Sequence, residues 1–195
     1  YAFAPSAEAG RQMDAAKERL ASWLNVGMDE LHFGPSTSQN TFVVAQALRQ
    51  DLRPGDEVIV TDQDHDANIG AWHRLSADGI VVREWKVDRR TADLQGKDLE
   101  ALLGPRTKMV AFTHCSNVVA TINPVREWAD LIHRAGAWAF VDGVSFCPHG
   151  LPDVDALGAD LYFFSLYKVY GPHQGAMVMR RALNAELPNQ GHFFN

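Results

Sequence analysis

Apolar and polar residues alternate at helical spacing from Ser6 to Leu24, where Ala7, Met13, Ala16, Leu20 and Trp23 share one stripe and Ser6 stands ready as an N-cap. A first helix is predicted there. Leu31-His32-Phe33 reads as a short strand that runs into Gly34-Pro35-Ser36-Thr37-Ser38, after which Phe42, Val43, Ala45 and Leu48 resume helical periodicity. Arg53-Pro54-Gly55-Asp56 marks a turn, and the β-branched run Glu57 to Thr61 has the character of a buried parallel strand. The alternation then repeats. Helix is predicted over 65–77, strand over 80–87, helix over 94–103, strand over 109–113, helix over 124–135 and strand over 138–141. A short helix at 154–157, a strand at 160–165 and an apolar run at 176–179 complete the pattern.

Seven strand candidates interleaved with helices predict a three-layer α/β/α sandwich around a mostly parallel sheet. The connection from Lys168 to Gln174 is too short for a helical crossover, so the last strand is predicted to run antiparallel to the one before it. With 195 residues, 46% of them hydrophobic, the chain can bury a sizeable core as one domain, residues 1–195. The net charge of -6 is spread along the chain without a basic block, which speaks against nucleic acid. No apolar run approaches a membrane span, and Tyr1 opens no secretory signal. Cys115 and Cys147 form no CxxC pair, which favours a reducing, cytoplasmic setting over a thiolate zinc site.

In an open α/β sheet ligands bind beyond the carboxyl ends of the strands, and the chemically interesting residues fall at such ends. Gly34-Pro35-Ser36-Thr37-Ser38 offers hydroxyls and backbone N–H groups at a helix start, suited to a phosphate, though on sequence alone ordinary capping is the favoured reading. Asp62, Asp64, His65 and Asp66 cluster after the second strand. They invite a metal-dependent hydrolase, a solvated first helical turn, or a histidine laid on a flat cofactor. Asn117 follows the fourth strand, Asp142 the fifth, and Lys168 the sixth, three residues after Ser165. Each alone reads as a turn or surface residue. Together they suggest pyridoxal 5'-phosphate: a carboxylate to keep the pyridine nitrogen protonated, a lysine to hold the aldehyde as a Schiff base, hydroxyls for the phosphate.

The segments Phe33 to Asn40, Asp64-His65-Asp66-Ala67-Asn68, Ser116-Asn117, Val141-Asp142-Gly143, and Ser165-Leu166-Tyr167-Lys168 with Tyr170-Gly171-Pro172 resemble the large domain of fold-type I pyridoxal phosphate enzymes. The resemblance is to the class V aminotransferase and cysteine desulfurase superfamily. It implies a Schiff base at Lys168, a pyridinium partner in Asp142, ring stacking by His65, an O3' contact from Asn117, and phosphate contacts from Ser36, Thr37 and Ser165. It also implies a homodimer acting on a small amino acid. Tyr167 stands where the pattern has His, and Ser145 where it has Gln. Enzymes of this family carry a smaller C-terminal domain, with an arginine for the substrate carboxylate and, in desulfurases, a mobile cysteine. Neither is found here, so residues 1–195 are expected to be a large domain incomplete at both ends, and a cofactor-binding fragment without turnover is the alternative.

Overall fold

The computed structural model describes residues 3–188 and 190; most of the closing segment, which the sequence leaves without a terminating helix, lies outside the described residues. Seven strands form one sheet in the order β1-β7-β6-β5-β4-β2-β3: β1 Leu31–Gly34, β2 Glu57–Thr61, β3 Val81–Trp85, β4 Thr107–Thr113, β5 Trp138–Asp142, β6 Leu161–Ser165 and β7 Gly175–Met179. β7 pairs antiparallel with both β6 and β1, and the remaining pairs are parallel. The predicted reversal at the last strand is what the structure has.

The inner strands are nearly continuous apolar runs because both faces are covered. Along β4, Val110 and Phe112 join one buried cluster while Met109 and Ala111 join the other, the period-two signature of a strand between two helical layers. The first cluster is closed by α1 (Ala4–Trp23), α4 (Gly96–Leu102), α5 (Val125–Arg134) and α6 (Val154–Leu157). The second is closed by α2 (Thr37–Leu48), α3 (Asp66–His73) and α7 (Arg181–Glu186). Trp85, Phe112 and Trp128 anchor the first face, with Trp85 and Trp128 edge-to-face at 4.6 Å between centroids.

Two boundaries differ from expectation. Helix α1 begins before Ser6: Pro5 falls in its first turn, where a missing N–H costs nothing, and the N-cap Phe3 makes no side-chain bond. The predicted helix over 65–77 is α3 followed by a 3-10 turn over Arg74–Asp78, which Gly79 closes at φ 81°.

The parallel strands end on one rim, at Gly34, Thr61, Thr113, Asp142 and Ser165, and β7 begins there at Gly175. Gly34 and Gly175 are register partners. A Cβ at Gly175 would lie 2.6 Å from the Ser36 carbonyl carbon and 2.7 Å from Thr37 N, so glycine lets the start of α2 abut the sheet. Packing thus brings backbone N–H groups to the rim.

Candidate active site

One hollow of about 310 Å³ opens on that rim. It is lined by Ser36, Thr37, His65, Asn117, Asp142, Ser165 and Lys168, every residue the sequence singles out for the cofactor. Thr113, Val144, Ser145, Tyr167 and His173 complete much of the wall. The two most voluminous hollows, about 620 and about 560 Å³, lie elsewhere: the first includes Arg53, Lys108 and Trp138 near strand starts, the second is flanked by Val43, Val44 and Met177. Neither gathers residues from the carboxyl ends, where open α/β sheets place their chemistry.

Asp142 closes β5 at 4% exposure, and its Oδ1 accepts the Val144 N–H at 2.7 Å. Among the described residues its second oxygen makes no hydrogen bond, and the side chain faces the hollow. Burial pushes the carboxyl up to about 6, against the pull of the Val144 N–H, His65 and Lys168. A buried carboxylate with one oxygen left unbonded suits a ligand that brings its own positive charge. Asp64 lies behind it, one oxygen bonded by the Thr61 hydroxyl at 3.2 Å and Oδ1 buried without a partner. Burial, and then the charge of Asp142, hold its carboxyl well above the ordinary range.

The wall under Asp142 is rigid. His114 stacks on Phe146 at 3.6 Å and 11°, and its Nδ1 meets the Tyr162 hydroxyl at 2.9 Å. Burial lowers its pKa to about 4, so the ring is neutral packing material rather than a base. Gly143 exists for the same reason: a Cβ there would fall inside the Tyr162 ring. Gly143→Ala is therefore expected to cost about 1–3 kcal/mol of stability through overpacking, read as a lower urea midpoint with an unchanged m-value.

At the other end, the Thr37 and Ser165 hydroxyls bond each other at 2.8 Å in a buried contact between chain positions 128 apart. Ser36 caps α2, its Oγ accepting the Gln39 N–H at 3.2 Å. The capping reading of this loop is thus correct, and it leaves early N–H groups of α2 at the hollow. Lys168 rides on a 3-10 turn, Leu166–Val169, that follows β6 directly. His65 is the N-cap of α3, its Nδ1 accepting the Ala67 N–H at 3.0 Å.

The metal reading is corrected. Among the described residues no group of three or more His, Cys, Asp or Glu is placed to hold an ion. Asp62 Oδ1 accepts the Val87 N–H, Asp64 turns toward Thr61, His65 caps, and Asp66 starts the helix, so separate partners send the four apart. Both cysteines are buried and free, and burial raises both thiols, Cys147 to about 12, which removes them as nucleophiles.

Sequence reasoning missed Thr113 and the Tyr167–His173 pair, and it read Asp64 as a metal or first-turn carboxylate rather than as the buried neighbour of Asp142. Thr113 had a signal, as a hydroxyl residue ending a strand beside Asp142; its Oγ donates to the Cys115 carbonyl at 2.8 Å. Tyr167 and His173 stack at 5.0 Å and 5° across a loop reversal that no local spacing announces.

The residues fit pyridoxal phosphate on the structure's own terms. A desolvated carboxyl with a free oxygen stands where a cationic ring nitrogen is wanted, an amine lines the same hollow, and a helix start with buried hydroxyls offers donors without bulk. Comparison with known proteins agrees. Residues 2–191 match the family described as aminotransferase class V. Over 185 residues the chain is 43% identical to an aminotransferase-like protein of Gibberella zeae, covering 93% of this chain and 46% of that one. A cysteine desulfurase of Serratia proteamaculans is 37% identical over 94% of this chain and 46% of its own. The crystal structure of an Escherichia coli cysteine desulfurase superposes with a TM-score of 0.86 at 28% identity, covering 96% of this chain and 48% of that one. The chain spans about half the length of the curated relatives it matches.

Proposed function

The chain belongs to the aminotransferase class-V family, and from that premise we propose that it is the cofactor-binding large domain of an enzyme acting at the α-carbon of a small amino acid, with Lys168 as the covalent anchor. Pyridoxal 5'-phosphate is the cofactor. The observation that carries the reading is the convergence of Lys168, Asp142, His65, Asn117 and the Ser36, Thr37 and Ser165 hydroxyls on one hollow. When bound, this cofactor supplies an electron sink for the substrate α-carbon.

The chain's own residues have separable tasks in this reading. Asp142 holds a negative charge against the ring nitrogen, where its burial makes the interaction strong. His65 would cover the ring face, its own ring fixed by the Ala67 N–H that its Nδ1 accepts. Asn117 presents an amide to the phenolic oxygen. Ser36, Thr37, Ser165 and the N-terminus of α2 take the phosphate. Lys168 would hold the cofactor covalently and, as a free amine on the same wall, would carry the α-proton.

Borohydride reduction of the protein incubated with pyridoxal phosphate, followed by peptide mass mapping, tests the anchor: the modified peptide is expected to contain Lys168, and label on another lysine would sink the assignment. The same sample in a sedimentation experiment is expected to run as a homodimer. Among the described residues no arginine lines the hollow, which favours a second reading, cofactor capture without turnover. Loss of the bound cofactor's visible band on adding amino acid separates the first reading from it. Among the described residues no helix is long and apolar enough to cross a membrane.

A further inference from the structure

We propose that His173, shelved on the ring of Tyr167, is the cationic contact for the cofactor phosphate, a role resting on the cofactor reading above. A phosphate monoester brings a charge of about -1.5 to -2 at neutral pH. Hydroxyls and helix N–H groups donate to it but carry no full charge. Among the described residues, the side chains lining the hollow that can be cationic are Lys168, His65 and His173. Lys168 is committed to the aldehyde end of the same ligand. His65 spends its Nδ1 accepting the Ala67 N–H, so no proton sits on that nitrogen. His173 is left.

The loop delivers it to the right end. Leu166 N donates to the Gln174 carbonyl, Gly171 N to the Leu166 carbonyl, and Gln174 N to the Pro172 carbonyl, each at 2.8 Å, folding residues 166–174 into a tight reversal. Tyr170 takes the left-handed conformation at φ 66° to close it. Gly175, two residues after His173, presses on the Ser36–Thr37 backbone, and Ser165, at the other foot of the loop, bonds Thr37. His173 therefore hangs beside the helix start and the paired hydroxyls. Its ring lies flat on Tyr167, centroids 5.0 Å apart and planes 5° from parallel, which fixes the direction in which the imidazole edge points. The departure at position 167 then has a physical use: the tyrosine supplies the shelf, and the imidazole comes from across the loop.

The test compares pyridoxal phosphate with pyridoxal, which lacks only the phosphate, by equilibrium titration of the wild-type chain, His173→Phe and His173→Gln. Phenylalanine keeps the stack and removes the charge; glutamine removes both charge and stack. Both variants are expected to bind pyridoxal phosphate about ten- to a hundredfold more weakly, the size of a lost hydrogen bond to a charged group, with pyridoxal binding unchanged. Tyr167→Phe, which retains the shelf, is expected to bind both ligands as wild type does, and Tyr167→Ala to lose part of the preference for the phosphorylated one. Equal weakening for both ligands, or none for either, overturns the role of His173 while leaving the cofactor reading intact. A wild-type chain that captures neither ligand overturns both.

Discussion

Lys168→Ala is expected to abolish covalent capture of pyridoxal phosphate: no visible band from attached cofactor, no borohydride-fixed peptide, and turnover lowered by at least about 10²–10⁴-fold, the range for removing a positioned acid–base group. The size follows from how much the structure asks of one amine. Lys168 is exposed on a 3-10 turn, so its substitution removes no core contact and the fold should survive. What it removes is, among the described residues, the only lysine on the wall of the hollow. The cofactor should still bind non-covalently, since Asp142 and the α2 start remain. That separation is measurable, because a variant that binds pyridoxal phosphate in equilibrium dialysis yet shows no reducible linkage has lost the anchor alone. A variant that keeps the reducible linkage would move the anchor to another residue and with it the assignment of the whole rim.

The contrast between those two groups shows what a sequence reveals of a site like this. Val58, Ile59 and Val60, Val110 to Phe112, and Ala139 to Val141 are buried on both faces, and that demand writes itself as β-branched and aromatic runs. Each run stops at a polar residue because the rim faces solvent, so Asp142 is legible as the end of β5 and Ser165 as the end of β6. The reversal before β7 is legible too, from a connection that cannot hold a helix. Contacts closed across the chain are not. Thr37 finds Ser165 only after α2 swings back over the sheet edge, and Tyr167 finds His173 only after the loop folds. Nothing in local spacing encodes either meeting. The metal reading failed for a related reason: Asp62 is drawn to the Val87 N–H beyond the neighbouring strand while Asp64 turns inward to the Thr61 hydroxyl, and bonds to separate partners hold the acids apart.

Asp142→Asn is expected to act in opposite directions on stability and on chemistry. An aspartate is ordinarily half-protonated near 3.8, and burial moves this one up to about 6 in the folded chain. Between those values the folded state binds more protons than the unfolded state, so stability falls as pH rises through that window and stays low above it. At about 1.4 kcal/mol per pKa unit, ionised Asp142 costs the cofactor-free fold on the order of 3 kcal/mol at neutral pH. Asparagine keeps the shape and still accepts the Val144 N–H, but carries no charge to desolvate. Urea titrations of the cofactor-free protein should therefore find the variant more stable than wild type at pH 7.5, with the gap closing toward pH 4. Equal midpoints at both pH values would refute the buried-charge account. The same substitution should lower turnover on the order of 10²–10³-fold, as loss of a preorganised charge at a reacting centre does, because nothing then holds the proton on the ring nitrogen. Asp64 sharpens the prediction: after burial, the charge at position 142 is what raises its carboxyl, so asparagine there should let Asp64 ionise at lower pH. Infrared titration of the carboxyl bands distinguishes this from a simple loss of one group. Strain of this kind is stored where a ligand later relieves it, and a pyridinium set against Asp142 is the charge that would do so.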